Sequence, residues 1–229
     1  MRYLVILLLT PLFFACSKKA ETVSTAEVYP SVVEIISPDS VISNEGVLAV
    51  CQEFSIPHSA VYQWNNHLAI YHVIDSVSVI NDKLKEQYPD AEIKLYETPF
   101  YIFDRKGCDN KETAEEWNNT LMTANLVESP EMQQEYMGHH VTQTEQWPEI
   151  AAGFCHANFQ QLLMFRNGRQ LMLIISIPQG EDLDELNPKT AENNPRVDDW
   201  NAMMSKYQEG IAGTREGDTW VVLTPLQKD

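Results

Sequence analysis

The feature that most constrains this chain of 229 residues is an internal repeat. Runs rich in Val, Ile and Leu alternate with helical patterns in the order β-α-β-β-α-β, and that order occurs twice. In the first half a strand covers Val32 to Ile36, and Ser37-Pro38 opens a helix that continues from Gly46 to Phe54. A hairpin follows, Val61 to Gln63 and Leu68 to Ile74, then a helix from Val77 to Tyr88 and a strand from Pro99 to Phe103. The second half reads strand Ala124 to Val127, helix from Pro130, hairpin Gln161 to Ile177 turning at Asn167-Gly168, helix Val197 to Tyr207 and strand Thr219 to Thr224. Ser37-Pro38-Asp39 matches Ser129-Pro130-Glu131, each with Ser as N-cap and Pro in the first turn.

A β-α-β-β-α-β unit closes into a four-stranded antiparallel sheet with both helices on one side, the ferredoxin-like arrangement. Its other face then needs cover. Two such sheets packed face to face cover each other. The expected fold is therefore α+β: two tandem ferredoxin-like units, packed sheet-to-sheet as a dimeric α/β barrel within one chain. The expected divisions are 30–105 for the first unit, 106–120 for a polar linker and 121–229 for the second.

Before the repeat, Arg2 and the apolar run Leu4 to Phe14 lead to Ala15-Cys16. The run is too short to span a bilayer, and a small residue precedes the cysteine, as at the cleavage site of a lipoprotein signal. Residues 1–16 are expected to be such a signal with Cys16 as lipidation site, and 17–29 a flexible tether. The expected location is the bacterial cell envelope, anchored to the outer membrane by the lipid alone. Cys51, Cys108 and Cys155 remain, so an oxidising compartment allows one disulfide and leaves a thiol over. A net charge of −17 without a Lys/Arg cluster excludes nucleic acid as partner.

Residues suited to chemistry concentrate between Ser129 and Pro178. At about 100° per residue, His140 and Trp147 return to within about 40° of Tyr136 on a regular helix, whereas His139 points elsewhere. Applying the Ser-Pro offset to the first helix puts Asn44 and Leu48 where Tyr136 and His140 stand, so a site built there exists once. His139, His140 and Glu135 lack metal-ligand spacing, and the acidic run from Glu181 to Glu185 lacks the glycine and spacing of a calcium loop.

The motif Glu135-Tyr136-Met137-Gly138-His139-His140, then Trp147-Pro148-Glu149, the Asn-Gly hairpin, Asn194-Pro195-Arg196-Val197-Asp198-Asp199-Trp200, Lys206-Tyr207-Gln208, Gly217 and Trp220 resembles the L-rhamnose mutarotase family. The resemblance implies an isomerase that interconverts the anomers of a monosaccharide, without metal or cofactor. It implies His140 and Tyr136 as the catalytic pair and Trp147, Trp200 and Gln161 as substrate-binding residues. Histidine can both take and give a proton near neutral pH, and indole rings can wall the apolar face of a sugar. Two departures stand out: residues 142–146 read as an insertion, and an aromatic of the first hairpin strand is replaced by Gln161 or displaced to Phe159. The alternative is a non-catalytic lipoprotein that keeps the barrel to bind a sugar or a partner. Further oligomerisation remains open.

Overall fold

Ile, Leu, Val and Tyr supply most of the apolar positions in the strands of the repeat, where branched and aromatic side chains pack well on a pleated surface. The computed structural model describes residues 28–39 and 41–226; the leader with Cys16 and the tether up to residue 27 lie outside them. In chain order the first half forms β1 (Ser31–Ile36), α1 (Glu45–Glu53), β2 (Val61–Trp64), β3 (His67–His72), α2 (Val77–Gln87) and β4 (Glu92–Tyr96). A short strand, β5 (Tyr101–Asp104), follows. The second half then gives β6 (Trp117–Leu126), α3 (Pro130–Val141), α4 (Gln143–Gln146), α5 (Pro148–His156), β7 (Gln161–Asn167) and β8 (Gln170–Pro178). It ends with α6 (Leu183–Leu186), α7 (Pro195–Met204), β9 (Gln208–Glu209) and β10 (Val221–Pro225).

The strands run β4-β1-β3-β2 in the first half and β10-β6-β8-β7 in the second, and every pairing is antiparallel. Numbered within each half, both are the ferredoxin-like order 4-1-3-2. β10 pairs with β2 and joins the two sheets. The joined sheet curls, so that Val32, Tyr71 and Tyr96 of the first half share one core with Leu163, Phe165 and Ile174 of the second. The fold is thus the ferredoxin-like α+β class expected, with inner sheet faces packed together and helices outside.

Three local expectations differ from the structure. Ser37-Pro38 makes a bend, not a helix start: Ser37 N–H donates to the carbonyl of Asn66 at 3.0 Å, and the Asn66 amide donates to the carbonyl of Ser37 at 2.6 Å. These bonds hold the chain against the β2–β3 turn, and the helix begins only after Asn44. Matched by N-cap, the place of Tyr136 falls on Cys51, and that of His140 on Ser55 beyond the helix end. The last strand of the first unit is β4, whose Glu92 and Lys94 disguise it, whereas β5 pairs with β7 at the edge of the second sheet. Finally, β6 starts at Trp117, inside the expected linker, because its polar residues Asn118 and Asn119 pair with Ile177 and Ser176 of β8.

Cys108 and Cys155 form the disulfide, with Cα atoms 5.8 Å apart, and fasten the segment after β5 to α5. Cys51 is free and buried. Among the described residues no helix is long and apolar enough to cross a membrane, and no group of three His, Cys, Asp or Glu could hold a metal ion.

Candidate active site

Ser129 starts the site. Its hydroxyl accepts the Met132 N–H at 3.3 Å, and Pro130 occupies the first turn, so the N-terminus of α3 is capped. Tyr136 and His140 then fall one turn apart on the buried face of the helix. Strand alternation aims Leu162 and Met164 of β7, and Leu173 and Ile175 of β8, at the same space. The result is a cavity of about 360 Å³ between the second sheet and helices α3, α5 and α7. That lies at the lower end of the range of about 300–1,000 Å³ for small-molecule sites.

His140 is enclosed by aromatic rings. Tyr136, Trp200, Tyr101 and Phe100 have centroids 4.4, 5.3, 5.5 and 5.6 Å from its imidazole. Its Nδ1–H donates to the carbonyl of Tyr136 at 2.9 Å, which fixes the tautomer and leaves Nε2 as the atom with a lone pair. Among the described residues Nε2 has no hydrogen-bond partner, and His140 lines the cavity. Burial pushes its pKa down to about 4, against the raising effect of the Tyr136 carbonyl and with a smaller lowering by His139. At neutral pH the imidazole is therefore uncharged and basic at Nε2.

Tyr136 is fully buried, and burial raises its phenol above the ordinary tyrosine range. Its hydroxyl accepts from Gln208 Nε2 at 3.1 Å and donates to the Met164 sulfur at 3.2 Å. Gln208 in turn accepts the Trp220 indole N–H at 3.2 Å, which orients its amide. A thioether is a weak acceptor, so the phenol hydrogen is held loosely.

The expected site residues separate. Tyr136, His140 and Trp200 converge on the cavity. Trp147 stands behind Trp200, ring centroids 5.5 Å apart, with the Arg196 guanidinium 3.7 Å over its face. It arrives there without a continuous helix: α3 ends at Val141 and Trp147 precedes Pro148 with extended φ. Gln161 does not line the cavity; it shares the inward parity of Leu163 and Phe165 and faces the other side of the sheet. Phe159, ahead of β7, lines the cavity instead and stacks on Phe154 with centroids 5.6 Å apart. His139 turns to the Tyr207 hydroxyl at 3.2 Å.

Among the lining residues that escaped the reading of the sequence, two stand next to each other. Gln143 comes from the inserted segment, now α4, and is buried; its Oε1 accepts the Tyr101 hydroxyl. Tyr101 comes from β5. No motif marks either residue, because a strand and a helix remote in sequence bring them together.

Residues 120–227 match the family described as L-rhamnose mutarotase. The chain is 33% identical over 79 residues to the L-fucose mutarotase of Xanthomonas campestris pv. campestris, a stretch that is 34% of this chain and 61% of that protein. The chain thus spans about three-fifths of the length of the curated relative it matches. Among solved structures, a candidate monooxygenase of Fusobacterium nucleatum aligns at TM-score 0.47 and 9% identity over 88% of this chain and 94% of that one. A ferredoxin-fold protein of Listeria monocytogenes related to antibiotic biosynthesis monooxygenases aligns at TM-score 0.40 and 10% identity, over 87% and 96%. All of the cavity wall except Tyr101 lies within residues 120–227, the part of the chain that is similar to the L-rhamnose mutarotase family.

Proposed function

We propose that this protein is a lipid-anchored sugar mutarotase that interconverts the anomers of L-rhamnose or a related monosaccharide, with His140 moving the proton. The observation that carries this reading is the geometry of His140, its Nδ1 tied to a carbonyl and its Nε2 free in an aromatic-walled cavity.

Opening a pyranose transfers one proton from the anomeric hydroxyl to the ring oxygen as the bond between C1 and that oxygen breaks. Both oxygens are attached to C1, so one basic atom can serve both. Nε2 takes the hydroxyl proton, and the imidazolium gives it to the ring oxygen. Burial that holds the imidazole neutral also makes its protonated form a ready acid. Rotation of the freed aldehyde presents its other face, and the same transfers in reverse close the other anomer. Tyr136 contributes a hydrogen bond to a sugar oxygen: its phenol stays neutral, and its present acceptor is only a thioether. Trp200 supplies the wall for the apolar face of the ring, with Trp147 and Arg196 holding the indole from behind.

The Cys108–Cys155 disulfide supports a location outside the reducing cytoplasm, in keeping with Cys16 as the lipid attachment site. The test is saturation-transfer NMR of anomer exchange with L-rhamnose and L-fucose, on the protein beginning at Ser17. Exchange should be accelerated by the native protein and should fall at least about 100-fold in His140→Ala, the size of a lost general acid-base group. If the native protein accelerates no 6-deoxy sugar, the barrel is a binding module.

A further inference from the structure

A second space, about 710 Å³, lies on the same face of the second sheet as the cavity. Its floor is apolar: Met122 of β6, Ile177 of β8 and Val222 of β10, the last 44% exposed. Asn118 and Thr120 of β6 and the loop from Gly180 to Asp184 supply its polar rim. The cavity and this groove share two walls, Ile175 and Asn187.

Strand register gives the groove a direction. Met164, whose sulfur meets the Tyr136 hydroxyl, lies opposite Leu173. Ile175 and Ile177 follow on the same face of β8, each step about 6.6 Å further along the strand. The groove therefore lies further along β8 than the cavity, away from the level of His140, with Ile175 and Asn187 bordering both. A single sugar ring turned over at His140 would leave it empty.

Resting on the mutarotase reading above, we infer that the groove holds the next residue of the substrate, so that the preferred substrate is a neutral oligosaccharide entering by its reducing end. The reducing ring must reach His140, because only its C1 can open. A substituent on one of its other hydroxyls then has to cross the border that Ile175 and Asn187 form to reach the groove floor, and the inference requires that they let it pass. Sugar rings present C–H faces and a girdle of hydroxyls, which an apolar floor with amide, hydroxyl and carboxyl groups around it accommodates. Glu181, Asp182 and Asp184 beside the groove repel uronic acids and phosphorylated or sulfated sugars.

The experiment compares anomer exchange for L-rhamnose, a neutral disaccharide with L-rhamnose at its reducing end, and the analogue whose outer ring is a uronic acid. Native protein and Asn118→Trp, which fills the groove from an exposed strand position, are measured side by side. For the native protein, kcat/KM for the neutral disaccharide is expected to exceed that for the monosaccharide by about tenfold or more. The uronic acid analogue loses that advantage, and Asn118→Trp brings the ratio close to one. Equal values for the two neutral sugars, or a ratio that Asn118→Trp does not move, overturns the inference and leaves the mutarotase reading standing. No acceleration of any of the three sugars defeats both.

Discussion

Two buried histidines, one on each face of the sheet, show how the same side chain is used in two ways. His67 lies inside the barrel, where its Nδ1 meets Glu34 Oε1 at 2.7 Å. Tyr96 donates to the other carboxyl oxygen at 2.9 Å, and Gln170 of the second unit donates to both at 3.0 and 3.1 Å. Gln170 further bonds Thr123 and accepts from Lys94, so the cluster crosses from one sheet to the other and closes on itself. His140 lies on the helix side, spends one nitrogen on a backbone carbonyl and keeps the other open to a cavity. A closed network fixes how two halves sit together. An open valence, surrounded by rings, is a place where something else can bind.

The sharpest way to break this comparison is Glu34→Ala. It strips His67, Tyr96 and Gln170 of their common acceptor in a fully buried place, and the expected cost is about 3–5 kcal/mol of unfolding free energy. Urea unfolding measures it. Anomer exchange per folded molecule should stay at the native level, since no member of the cluster lines the cavity. If exchange falls while stability holds, the barrel interior is not merely structural.

The second prediction concerns pH and belongs to His140. Its folded pKa, about 4, lies below the ordinary histidine value of about 6.5. Between those values the unfolded chain binds the proton that the folded protein refuses, so stability rises with pH across this window and is lost on acidification. Below about pH 4 both states are protonated and this contribution no longer changes. The full difference amounts to about 3 kcal/mol. Between pH 7 and 4.5 the unfolding free energies of the native protein and His140→Phe should diverge by about 2 kcal/mol, most of that difference, the variant lacking the slope. Parallel curves would mean that His140 is hydrated and keeps the basicity of an ordinary histidine.

Much of this arrangement was legible in the sequence. The doubled β-α-β-β-α-β order carries the fold, because apolar alternation leaves one sheet face of each unit in need of the other. Ser129-Pro130 marks the start of α3 through capping chemistry, and Tyr136, His140 and Trp200 reach the cavity that the mutarotase resemblance implies. Local signals failed where long-range pairing decides. Ser37-Pro38 carries the same letters as Ser129-Pro130, yet bonds to Asn66 hold it in a bend. The strand at 99–103 was expected in the first sheet and joined the second. Gln161 was placed by its position in the hairpin, but a one-residue change of parity in a strand reverses the face.

Tyr101→Phe is expected to have the smallest effect and probes how far β5 and α4 belong to the cavity. The phenol donates to Gln143 Oε1, and burial raises its pKa, so it stays protonated throughout the useful pH range. Removing the hydroxyl leaves the buried Gln143 amide without that donor but keeps the ring beside His140, centroids 5.5 Å apart. The stability cost should be about 1–3 kcal/mol, toward the lower end because the cavity admits water to the freed amide. On the proposed function, a wet, reorienting Gln143 would change the wall that the sugar meets without touching the proton path. KM should therefore rise by several-fold, roughly, while kcat changes little. A fall in kcat at constant KM would instead place Tyr101 on the proton path. That result would extend the open side of the comparison from His140 to the strand that the second sheet acquired from between the two units.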